Sequence, residues 1–154
     1  MTPPLRAVID ASVAAKIFVP EALATEAQAL FARFAAEDDA ELVVPGFFFV
    51  ECASVFGKWV RRSGYLAKAA REHLRDLTAL GLTVVPTRVL AERALDMALK
   101  HQISAYDACY VAAAVELDLP LVTADEKLVR QLGKGPAKLR WLGDATGIAD
   151  WTIP

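Results

Sequence analysis

At 154 residues and 16.7 kDa, with a net charge of −2 and a pI near 5.7, the chain has the size of one ordinary domain, able to bury a sizeable core without disulfide staples. The charge balance excludes a global electrostatic pull toward nucleic acid, so any such contact must be local. The hydrophobic fraction of 55% is high, yet no apolar span approaches the roughly 20 residues of a membrane helix, and the start, with Pro3 and Pro4, lacks the pattern of a signal peptide; a cytoplasmic protein is expected.

Positions 7–9 are a short apolar run ending in Asp10, and 11–18 has helical composition up to Pro20, which predicts a buried strand running into a helix. Over 21–36, Leu23, Ala27, Leu30, Phe31 and Phe34 recur at helical spacing. An acidic loop at Glu37, Asp38 and Asp39 leads to a second buried strand at 42–44, then to a turn at Pro45-Gly46 and a helix over 47–62. Gly64 ends that helix and 66–80 supplies another, closed by Gly81, so the two predict a helical hairpin. A strand at 82–85, a helix at 89–100, a nearly all-apolar buried helix at 105–117 and a strand at 119–122 follow. A helix at 125–132, a last short strand at 139–142 and a Gly-containing tail through Trp151 complete the chain. Strands alternating with helices predict one α/β domain over 1–154: a three-layer α/β/α sandwich around a mostly parallel sheet.

In this frame four acids stand out. Asp10, Glu51, Asp107 and Asp125 each interrupt or close an otherwise apolar stretch that carries no Lys or Arg of its own, although Glu126 and Lys127 follow Asp125 directly. A carboxylate drawn into an apolar core costs several kcal/mol unless a cation, strong hydrogen bonds or a raised pKa compensates. Asp10 and Asp125 follow strands at their carboxyl ends, where open α/β sheets bind ligands, and Glu51 and Asp107 fall in first helical turns. If the fold gathers them, their repulsion calls for a hard divalent cation held by oxygen ligands, Mg²⁺ or Mn²⁺. Singly, three have a plainer reading: Asp10 as an N-cap, and Asp107 and Asp125 within the capping-box patterns 104–107 and 123–126. Glu51, among Phe47, Phe48, Phe49, Val50, Cys52 and Val55, is harder to explain that way.

These residues carry a resemblance. Val8-Ile9-Asp10-Ala11-Ser12, Val50-Glu51, Ser104-Ala105-Tyr106-Asp107-Ala108 and Val122-Thr123-Ala124-Asp125, in this order and at this length, resemble a PIN domain, most like the VapC toxins of bacterial toxin–antitoxin pairs. The resemblance implies an Mg²⁺- or Mn²⁺-dependent endoribonuclease whose acidic site is Asp10, Glu51, Asp107 and Asp125, with Ser12 and Thr123 as supporting hydroxyls. It also implies an RNA substrate, a homodimer and a cognate antitoxin protein that inhibits the site. Glu126 departs from the pattern by placing an extra negative charge beside Asp125, either to help bind metal or to cap the helix.

Competing chemistries fare worse. An aspartyl-phosphate phosphatase expects an acid two residues after the first, where Ser12 stands, and a receiver-like domain expects paired acids near the first strand. Cys52 and Cys109 lack zinc-ligand spacing and read as buried free thiols, while His73 and His101 read as surface or capping residues. A PIN-like module that binds RNA or protein without turnover is the alternative function. For substrate, the cations Lys58, Arg61, Arg62, Lys68, Arg71 and Arg75 of the hairpin, with Trp59 and Tyr65 interleaved, could hold phosphates and stack bases. The plainer reading is a solvated face with Glu72 and Asp76 as intrahelical partners. Lys127, Arg130 and Lys134 are weaker candidates. Leu23, Leu30 and Phe34, or Phe47, Phe48 and Trp59, are candidates for a protein interface as well as for core.

Overall fold

A computed structural model describes residues 3–135 and 137–144. Chain order is β1 (Arg6–Ile9), α1 (Ala11–Ala15), α2 (Ala24–Ala36), β2 (Glu41–Pro45), α3 (Phe48–Ser63), α4 (Ala67–Thr78), β3 (Thr83–Val85), α5 (Thr87–His101), α6 (Ala105–Leu117), β4 (Leu121–Thr123), α7 (Glu126–Leu132) and β5 (Leu139–Trp141). The tail through Trp151 lies outside the described residues.

The strands form one sheet in the order β3-β2-β1-β4-β5, and every neighbouring pair is parallel. Val8 is central, opposite Val43 on one side and Leu121 on the other. Leu5, Ala7, Val8, Ile9, Leu42, Val43, Val44, Leu121 and Val122 have no exposed surface. Strands with such continuous apolar runs are those covered on both faces. Right-handed crossovers place α1 to α4 on one face and α5 to α7 on the other. The α/β/α arrangement is thus the expected one, with a sheet that is parallel throughout the described residues.

Two boundaries differ from the periodicity. The helix expected over 11–18 stops at Ala15, and Phe18 turns instead onto the hairpin, stacked on His73 with ring centroids 4.3 Å apart and edge-on to Phe56. The helix expected from 21 begins at Ala24, because Leu23 adopts a left-handed conformation, φ +70°.

The chain runs outward from β1 through β2 to β3, returns to β4 beside β1, and continues to β5. The reversal of strand order therefore lies between β1 and β4. At the carboxyl ends of such a pair the following segments diverge to opposite faces and leave a crevice.

Candidate active site

Asp10 follows β1 at that crevice and is only 5% exposed. It caps α1: its Oδ1 accepts from the backbone N–H of Ser12 (3.0 Å) and Val13 (3.4 Å) and from the Ser12 hydroxyl. The Thr123 hydroxyl also donates to it. Ser12 Oγ in turn accepts from the backbone N–H of Ala124 at 3.0 Å, which ties the end of β1 to the end of β4. Thr123 is fully buried, and its Oγ1 accepts from the N–H of Asp125 (3.0 Å). Both supporting hydroxyls thus bond within this crevice.

Asp125 caps α7 through a bond from Leu128 N–H (3.2 Å). The capping box expected over 123–126 is therefore replaced by an aspartate cap. Glu126 sits exposed in the first turn of α7, where a negative charge is favourable. Asp107 belongs to α6, whose cap Ser104 accepts the Asp107 N–H at 3.0 Å. Glu51 lies in the first turn of α3, half-buried, and its Oε1 accepts from the hydroxyl of Tyr110 at 3.2 Å.

The electrostatics join these groups. Burial pushes the Asp10 carboxyl up from the ordinary 3.8 to about 6, against the pull of its hydroxyl and N–H donors, and the charge of Asp107 adds to the rise. Burial also raises Glu51, helped by the charges of Asp10 and Asp107. Asp107 is raised by burial and by Asp125. Each acid therefore lies within electrostatic reach of another, and none is ion-paired to a Lys or Arg among the described residues. An oxygen-only set with uncompensated negative charge fits a hard divalent cation. As the side chains stand, however, no three acids among the described residues are placed to hold a metal ion. Their oxygens point instead to Ser12, Leu128 and Tyr110.

Tyr110 escaped the sequence reading although it stands three residues after Asp107, on the same helical face. It is fully buried, packs edge-on against Phe47 with centroids 5.4 Å apart, and has its phenol pushed far above the usual range by burial and by Glu51. Phe47 also meets the ring of Tyr106, which is 65% exposed. A cavity of about 250 Å³ opens beside Glu51, lined by Phe47, Val50, Ser54 and Tyr106.

Several other expectations change. Trp59 and Tyr65 are partly buried in an aromatic cluster: their rings pack together, Trp59 on Phe56 and Tyr65 on His73, whose Nε2 lies 2.5 Å from the Tyr65 hydroxyl. His73 is thus part of an aromatic cluster rather than a surface residue. His101 does lie in the last turn of α5, with its buried Nε2 lacking a partner among the described residues. Leu30 and Phe48 are fully buried, and Leu23, Phe34, Phe47 and Trp59 pack against the same core, so these residues serve packing first. Cys52 and Cys109 are buried free thiols, with Cys52 pushed up to about 12 by burial. Glu72 and Asp76 form no ion pair with the hairpin cations. No helix among the described residues is long and apolar enough to cross a membrane.

Comparison with known proteins identifies the family and the fold. The PIN domain profile matches residues 7–134, which span the whole acidic constellation. Ribonuclease VapC3 of Pyrobaculum aerophilum is 30% identical over 129 residues, covering 82% of this chain and 95% of its own. Among solved structures, PAE2754 from Pyrobaculum aerophilum superposes with a TM-score of 0.66 at 22% identity, over 92% of this chain and 94% of that one. A toxin–antitoxin complex from Klebsiella pneumoniae gives 0.60 at 16% identity, over 87% and 95%. The chain belongs to the PIN domain family, with the VapC ribonucleases among its relatives.

Proposed function

We propose that the protein is a divalent-metal-dependent endoribonuclease, the toxin of a toxin–antitoxin pair, hydrolysing RNA phosphodiester bonds in the crevice between β1 and β4. The observation that supports this most is the convergence of Asp10, Glu51, Asp107 and Asp125, mutually repelling and without a cation, at the carboxyl edge of the sheet. A bound Mg²⁺ or Mn²⁺ would supply the charge that makes water a competent nucleophile at neutral pH and offsets negative charge developing on the phosphate. Asp10 and Asp107 are the principal ligands in this reading. Glu51 completes the set or accepts the proton of the attacking water, oriented by the Tyr110 phenol. Asp125 closes the acidic ring from the β4 side, and Ser12 and Thr123 hold Asp10 in place. Among the exposed cations Lys58, Arg61 and Arg62 of α3, those on the same helix face as Glu51 would receive the RNA backbone. A cytoplasmic homodimer neutralised by a cognate antitoxin completes the proposal. The Klebsiella pneumoniae neighbour is a toxin–antitoxin complex, and it supports the partner by analogy of fold.

The test is cleavage of single-stranded and structured RNA with Mg²⁺ or Mn²⁺, with EDTA and Asp10→Asn as controls. Cleavage is expected only with metal, and to fall at least 100-fold in the variant, the scale on which lost charge stabilisation shows in rates. Metal-independent turnover, or full activity in Asp10→Asn, sinks the mechanism. A module that binds without turnover is the second reading, favoured by the absence, among the described residues, of three acids in a chelating arrangement as they stand. RNA binding with no cleavage at saturating Mn²⁺ would select it.

A further inference from the structure

The helical hairpin carries an uneven charge. Across α3 and α4 six cations face three acids, in a chain whose net charge is −2. Lys58, Arg61, Arg62, Lys68, Arg71 and Arg75 are all exposed, and none forms an ion pair among the described residues.

These cations do not share one face. At 3.6 residues per turn, Lys58 and Arg62, seven and eleven residues after Glu51, lie within about 20° of it around α3. They sit roughly 10 Å and 16 Å farther along the axis, at 1.5 Å per residue. Arg61 is rotated about 80° from Glu51. Its guanidinium folds over Gly57, where an added Cβ would come within 3.1 Å of it, and lines the groove between α3 and α4 together with Arg71. The buried side of α3, Phe48, Cys52 and Phe56, points elsewhere. A straight stripe of exposed positive charge thus starts at an acid of the site and runs away from it.

We infer that Lys58 and Arg62 form a phosphate track, holding the backbone of a single-stranded RNA whose scissile phosphate lies at Glu51, and that Arg61 is not part of it. This rests on the ribonuclease reading above and specifies where the substrate strand runs. An extended polyanion suits the stripe, since cations spaced along one helix face match a charge repeated along a strand. Two cations along one helix face, without an aromatic ring between them, hold phosphates and carry no base readout of their own.

The experiment measures binding of a fluorescein-labelled single-stranded RNA to the full chain carrying Asp10→Asn, to prevent turnover, across a salt series. It is repeated with Lys58→Ala/Arg62→Ala and with the charge-matched pair Lys68→Ala/Arg75→Ala from α4, and kcat/KM is measured for both pairs in the Asp10 background. Melting and circular dichroism confirm folding, and Lys58→Gln/Arg62→Gln serves as a second form of the first pair. Loss of the track should weaken binding and kcat/KM about 10- to 100-fold and flatten the slope of log affinity against log salt by roughly 1.4, at about 0.7 per single-strand phosphate contact. The α4 pair should leave the slope near the parent's. Equal losses from both pairs would mean a diffuse positive field and overturn the track. An unchanged slope in a protein that still cleaves RNA would overturn it while leaving the ribonuclease reading intact. A parent that neither binds nor cleaves RNA rejects both. If the first pair instead governs only capture of an acidic peptide, the face belongs to a protein partner and the inference fails.

Discussion

Asp10 shows what a buried carboxylate costs when no Lys or Arg among the described residues is paired with it. Its carboxyl titrates near 6 in the fold against 3.8 ordinarily, so over that interval the native state holds a proton the unfolded chain has released. The stability of the metal-free protein therefore falls as pH rises from about 4 to 6, the reverse of the behaviour of a salt-bridged aspartate. Asp10→Asn keeps a capping side chain and removes the charge. In EDTA it is expected to raise unfolding free energy at pH 7.5 by on the order of 2 kcal/mol, with the gain disappearing below pH 4, as measured by urea titration at both pH values. A destabilised Asn variant at pH 7.5 would show that the hydroxyl and N–H donors around Asp10 outweigh its desolvation. Cys52 illustrates the opposite case, a buried group kept neutral by the same environment and left to packing.

At the level of elements, α3 carries Glu51 at its start and the positive stripe toward its end. It stops at Gly64, whose φ of +66° is left-handed and whose missing Cβ would meet nothing within 4 Å. Only backbone conformation therefore argues for glycine there. Gly64→Ala is expected to cost about 1 kcal/mol in thermal or urea unfolding, with little effect on RNA cleavage, because the residue touches neither the acids nor the stripe. A cost well above that would indicate a packing role the open surroundings do not suggest. The helices α1 and α7 are short, and each is started by an acid of the site, Asp10 and Asp125. Capping and site membership are thus one arrangement: the same edge of the sheet that ends the strands begins the helices.

For the molecule as a whole, strand order 3-2-1-4-5 sets the crevice, and the uncompensated charge there predicts coupling between metal and stability. Mn²⁺ at about 100 times its Kd is expected to add roughly 2.7 kcal/mol and raise the melting temperature by several degrees. The rise should be largely lost in Asp107→Asn. An equal rise in both proteins would place the ion elsewhere. Most of the element order was legible because the strands are continuous apolar runs and the helices are amphipathic or, for α6, apolar throughout. The isolation of the four acids was legible for a related reason, since a lone charge in an apolar run contradicts its surroundings. The early end of α1 and the left-handed Leu23 were not legible, because Phe18 stops continuing a helix only when His73 and Phe56 offer it a surface. Tyr110 was missed because one phenol in a buried helix looks like core until Glu51 lies 3.2 Å away. The sequence by itself determined the alternation of strand and helix and the family, and it singled out the acids as candidates, since burial periodicity and charge isolation are local properties of a chain. Only the tertiary structure decided that Trp59 and Tyr65 face each other, that Arg61 turns from the stripe, and that Asp10 meets Thr123, because these depend on which distant surfaces the crossovers bring together.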